Sequence, residues 1–110
     1  MVEFATFIAV VDGQDVGVAR GAVHQSSDLR ELISMWVAPI GRRQGIGVQL
    51  IDSVAAWAQA AGASALVLAV IASNTPAIAL YERTGFLRLD GTSTSESAPS
   101  EIRLVRVLIA

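Results

Sequence analysis

The residues with the clearest chemical potential are Arg42-Arg43-Gln44-Gly45-Ile46-Gly47, where two arginines run into a glycine pair just as a helical pattern begins. A glycine-rich turn between a strand and a helix gathers free backbone N–H groups and the positive end of the helix dipole at one spot, which makes an anion site. A side chain on Gly45 or Gly47 would hold a ligand's oxygens away from those amides. A nucleoside-triphosphate loop requires Gly-Lys-Ser/Thr, whereas Gly47 is followed by Val48 and Gln49. A dinucleotide fingerprint needs a third glycine where Leu50 stands, and an acidic residue about 20 positions further on, where residues 66–72 are apolar. Other chemistry is restricted. The absence of cysteine excludes disulfides, thiolate metal sites and a cysteine nucleophile. With His24 the sole histidine, no ordinary metal centre is expected.

The elements around this loop follow from hydropathy and turn chemistry. With 110 residues, the chain is read as one domain, residues 1–110. Its 53% hydrophobic and 16% charged residues put it in the globular class. Residues 4–11 and 16–24 read as strands around the turn-forming Asp12-Gly13-Gln14-Asp15, a hairpin signature. Residues 31–37 form a third strand that Pro39 closes. Ile46, Leu50, Ile51, Val54, Trp57, Ala58 and Ala61 recur at helical spacing, predicting a helix over 46–61. Residues 65–72 are an almost unbroken apolar run, the mark of a strand covered on both faces. Thr75 is the expected N-cap of a second helix over 76–84, with Pro76 at its first position. Strands over 86–89 and 102–109 follow, separated by a polar Ser/Thr-rich loop. The order β–β–β–α–β–α–β–β predicts a mixed α/β sheet with one parallel pair at the β–α–β unit.

A net charge of −2 argues against a nucleic-acid footprint, and no stretch reaches the roughly 20 apolar residues of a membrane span. A cytoplasmic location is therefore expected, with neither nucleic acid nor membrane as a partner.

The loop Arg42 to Gly47 resembles motif A of the GNAT N-acetyltransferase superfamily. The segment Asn74-Thr75-Pro76-Ala77-Ile78-Ala79-Leu80-Tyr81-Glu82-Arg83-Thr84-Gly85-Phe86 is similar to that family's second signature. Both occur in order, and the resemblance runs over nearly the whole chain. It implies an acyl-CoA N-acyltransferase fold, mostly antiparallel, whose one parallel pair is splayed for coenzyme A. It also implies acetyl-CoA as cosubstrate, no metal, and a small-molecule or peptide amine that attacks the thioester directly in a ternary complex.

Several site residues follow from the resemblance. Arg42, Arg43, Gln44, Gly45, Ile46 and Gly47 would hold the pyrophosphate. The backbone of Met35, Trp36 and Val37 would pair with the pantetheine arm and polarise the thioester carbonyl. Asn74 would touch the cofactor, and the Tyr81 phenol would protonate the leaving thiolate. Glu31 is the candidate base for the acceptor ammonium, with His24 behind it. The family's domains begin with a further strand and two helices, whereas here a strand signal starts almost at Met1. That departure implies an N-terminally truncated domain or one completed by a partner, and its bare surface favours a homodimer. A CoA-binding or regulatory module without turnover is the alternative implied function.

Overall fold

The computed structural model describes residues 4–26, 28–42, 44–89 and 100–108. The chain opens with β1 (Phe4–Val11) and β2 (Gln14–Val23), joined by Asp12 and Gly13 alone, both at positive φ (50° and 81°). An Asp-Gly pair in this conformation has the twist that two antiparallel strands require. The turn is complete without Gln14 and Asp15, which the sequence pattern assigns to it. They join the ladder instead, Gln14 lying opposite Val11.

β3 (Leu29–Val37) starts two residues before the expected Glu31 and runs into a single 3₁₀ turn at Pro39–Gly41. Then come α1 (Ile46–Ala60), β4 (Ala65–Ile71), α2 (Thr75–Arg83), β5 (Leu87–Arg88) and β6 (Glu101–Val107). All six strands belong to one sheet in the order β1-β2-β3-β4-β6-β5. Every neighbour is antiparallel except β3 and β4. This is the mixed, mostly antiparallel architecture that the element order predicts.

α1 crosses one face of the sheet. Its buried residues Ile46, Leu50, Ile51, Val54, Ala55 and Ala58 recur at helical spacing and meet Ala19, Leu32, Leu66 and Leu68 beneath them. α2 joins the same core through Ile78 and Tyr81, and the Tyr81 and Phe86 rings meet edge to face at 5.7 Å. An ion pair between Arg106 Nη1 and Asp52 Oδ1 (3.0 Å) ties β6 to α1.

Among the described residues, no helix covers the other face of the sheet. In β4, Leu66, Leu68 and Val70 are buried, but Ala69 and Ile71 are exposed. The apolar run over 65–72 predicts cover on both sides; the helices provide it on one. Phe4, Ile8 and Val10 of β1 and Trp36 of β3 are exposed as well. Among the described residues, no helix is long and apolar enough to cross a membrane.

Candidate active site

The parallel pair makes the site. β3 and β4 are in register at only three positions, Leu29 with Ala65, Arg30 with Leu66 and Glu31 with Val67. Beyond Glu31 they part. The cause lies in β3, where Leu32 faces Gly21 and Ser34 faces Arg20, so Ile33 is an extra, bulged residue. A bulge bends its strand and swaps which face the later side chains take. Past it, Met35 and Val37 turn toward the helices while Trp36 stands on the open face, half exposed.

The backbone confirms which edge is free. Ala38 N–H donates to Val16 O in β2 (2.8 Å). Peptide groups alternate along an extended strand, so the Trp36 amide also faces β2, opposite Val18. The Met35 and Val37 amides point the other way, into the gap.

α1 begins at the mouth of that gap. Gly45 is its N-cap, at φ 76°, and offers no side-chain cap. The first amide to bond back is that of Gln49, to Gly45 O at 3.0 Å. The N–H groups of Ile46, Gly47 and Val48 have no acceptor within the helix, and the dipole adds partial positive charge there. Gly45 and Gly47 are glycines for different reasons. At Gly45 a side chain would meet nothing within 4 Å, but the left-handed backbone disfavours one. At Gly47 a Cβ would sit 3.1 Å from Leu80 Cδ2 and 3.3 Å from Met35 Cε, so the bare backbone lets α2 and β3 close around the amides.

Together these elements enclose a cleft of about 680 Å³. Met35, Val37, Arg42, Gly45, Ile46 and Gly47 line it, with Asn74 and Tyr81 across from them. Arg42 Nε donates to Val37 O (3.1 Å), which anchors the guanidinium across the end of β3 and leaves its Nη groups for an anion. Asn74, not Thr75, caps α2, its Oδ1 accepting from Ala77 N–H at 3.3 Å. Pro76 then falls at the second helical position, where a missing N–H is equally harmless. Asn74 Nδ2 keeps both hydrogens for a ligand. Burial holds the Tyr81 phenol above its ordinary 10.0, so it stays protonated at neutral pH.

Two expected cofactor residues are not brought into the cleft. Trp36 presents neither side chain nor amide to it. Gln44 folds back, Nε2 donating to Ile40 O (2.9 Å), and lies beside Val11 and Asp12. Arg43 and the polar loop 91–99 lie outside the described residues. Sequence reasoning gave no role to Pro76, Leu80 or Arg83, which complete the α2 wall. Their spacing of four and three residues on one helical face is the signal that finds them.

Glu31 lines a second cavity, about 460 Å³, on the open face of the sheet beside the last parallel rung. His24 lines it too, with Arg103 on the far wall. His24 Nδ1 accepts from Ser26 N–H (3.1 Å). Among the described residues, no group of three or more His, Cys, Asp or Glu is placed to hold a metal ion.

Comparison with known proteins agrees with this geometry. The model of the acetyltransferase (GNAT) family matches residues 2–86. An N-alpha-acetyltransferase of Sulfurisphaera tokodaii is 36% identical in an alignment covering 76% of this chain and 57% of that protein. N-acetylaspartate synthetase of Rattus norvegicus is 35% identical over 73% of this chain and 27% of its own length. The crystal structure of nourseothricin acetyltransferase matches with a TM-score of 0.84 at 26% identity, covering 96% of this chain and 66% of that one. The chain thus spans little more than half of the first relative and about a quarter of the second.

Proposed function

The chain belongs to the GNAT acetyltransferase family, and from that premise we propose that it moves an acetyl group from acetyl-CoA to an amine by direct attack in a ternary complex. The observation that carries this reading is the meeting of a free β3 edge with the uncapped N-terminus of α1 in one cleft.

Acetyl-CoA supplies the acyl group as a thioester, and the rest is done by this chain's residues. The amides of Ile46, Gly47 and Val48, with the Nη groups of Arg42, bind the pyrophosphate. The Met35 and Val37 amides pair with the pantetheine arm as a further strand would, and one of them donates to the carbonyl oxygen as it takes on negative charge. Asn74 Nδ2 contacts the cofactor from α2. Glu31, at the point where β3 and β4 part, accepts the proton that an ammonium must lose before it can attack. Tyr81 gives its phenolic proton to the departing thiolate. That transfer runs slightly uphill, since burial raises a phenol already weaker as an acid than a thiol near 8.5. Holding amine and thioester together supplies much of the rate.

One observation favours a second reading. The open face lies bare beside Glu31, as it would in a CoA-binding module or in a fragment completed by a partner or a second copy.

Calorimetry with acetyl-CoA and a thiol-release assay over an amine panel test the proposal. Binding with turnover supports transfer, and binding without turnover supports the second reading. Tyr81→Phe is expected to keep acetyl-CoA affinity and slow thiol release by about 10²-fold. Absence of acetyl-CoA binding by the unaltered chain would end both readings.

A further inference from the structure

The second cavity carries two opposite charges that do not meet. Glu31 stands on one wall, at the last rung of the parallel pair, opposite Val67. Arg103 stands on the other, opposite Ala69 in the β4–β6 ladder. Val67 and Ala69 alternate onto the same side of β4, so both charged residues project over the open face with these two small side chains between them. The register puts Glu31 and Arg103 two strands and two residues apart, about 12 Å between Cα atoms. Neither side chain forms an ion pair or hydrogen bond with another described residue. A carboxylate and a guanidinium facing one hollow across a short gap are complementary to a molecule that carries a cation and an anion of its own.

From this juxtaposition we infer that the acceptor is a small zwitterion, an amine that also bears a carboxylate, with its ammonium on Glu31 and its carboxylate on Arg103. The inference rests on the acyl-transfer reading and narrows its substrate class. Polarity sets the orientation. Glu31 stands at the last rung before β3 and β4 part, so an ammonium held there is the end of the acceptor nearer that parting, and the nitrogen is the end presented to the thioester. Arg103 lies away from that parting, near the free end of β4, and holds the non-reacting end. Ala69, the residue between, is small enough to leave room for the backbone of an amino acid or dipeptide. Once the ammonium has passed its proton to Glu31, the Arg103 contact still holds the acceptor in place for attack.

The test compares matched acceptors, such as leucine with leucinamide and glycylglycine with its C-terminal amide, in the thiol-release assay with acetyl-CoA. The free acids are expected to exceed their amides in kcat/KM by about tenfold or more, the loss that follows when a charged group is left without its partner. Arg103→Gln is expected to raise KM for the acids and remove that preference, and Arg103→Glu to reverse it. Amides used as well as acids by the unaltered chain, or a preference that survives Arg103→Gln, would overturn the assignment while leaving acyl transfer intact. If no amine releases thiol, calorimetric titration of each acid and amide into the CoA complex still reads the cavity. Heat with the acids alone supports the zwitterion site, heat with both or neither overturns it, and failure of CoA itself to bind is the separate failure of the parent reading.

Discussion

The two faces of the sheet have been treated in opposite ways. Between α1 and the sheet, Ile51, Val54 and Leu66 are 0% exposed, while on the other face Phe4 and Ile8 are 54% and Trp36 52% exposed. Both faces are apolar, so composition does not separate them; cover does. The covered face carries the cleft proposed for the cofactor, because α1 and α2, which bury it, also supply the N-terminal amides, Asn74 and Tyr81 that line it. The open face carries the cavity proposed for the acceptor, beside the rung where β3 and β4 part. The placement of the helices thus leaves one cavity on each face of the sheet.

The largest effect expected from this contrast is on stability. Ile51→Ala removes a fully buried side chain from the sheet-facing side of α1 and is expected to cost about 2–5 kcal/mol. Ile8→Ala removes a similar side chain from the open face and is expected to cost less than about 1 kcal/mol. Urea midpoints at constant m-value give both numbers. Equal losses would mean that something covers the open face in solution, and a sedimentation mass of two chains would identify it as a second copy.

Next in size is the contrast between the two loop glycines. Gly47→Ala gains helix propensity worth up to about 1 kcal/mol, set against a tight but yielding contact with Leu80. Its expected phenotype is therefore near-native stability with acetyl-CoA affinity reduced about tenfold or more, as the methyl group intrudes among the amides. Gly45→Ala has room for its methyl group but must hold φ at 76°, which costs about 1–2 kcal/mol. Calorimetry paired with denaturation separates the two roles. A Gly47→Ala chain that binds as the unaltered one does would remove the amides of α1 from the cofactor site.

Much of this molecule can be read in its sequence, for reasons that are local. Apolar spacing marks α1, Asp12-Gly13 marks the hairpin, and the glycine loop marks the start of α1, since each is encoded by neighbouring residues. What is not legible depends on pairing across distance. The bulge at Ile33 decides that Met35 and Val37, and not Trp36, serve the cleft, and no pattern within residues 31–37 reveals it. Gln44 sits inside the loop motif yet turns away, because Ile40 O takes its side chain. The run over 65–72 looks doubly covered because an uncovered apolar face and a covered one read alike. Arg103 is brought to the wall of the second cavity only through its register with Ala69, thirty-four positions away in the chain.

The smallest effect is the most direct test of the wall that the covered face lends to the site. Tyr81 is the only tyrosine, and the chain has no lysine and no cysteine, so between pH 9 and the arginine range it is the one side chain that titrates. Burial of this α2 side chain raises its pKa above 10.0. The sign follows. A folded state that holds this proton more tightly than the unfolded chain has its full stability below pH 10, and loses stability as pH rises through the folded value. Tyrosinate absorbance should therefore rise at higher pH in the native chain than in urea, and the alkaline loss of stability should vanish in Tyr81→Phe. Acetyl-CoA in the cleft removes water from the same phenol and adds negative charge nearby, both of which disfavour the phenolate. The native titration is expected to move higher still when the cofactor binds. A Tyr81 phenol that titrates in the folded chain as it does in urea, unmoved by acetyl-CoA, would place it outside the cleft and assign the thiolate's proton to another donor.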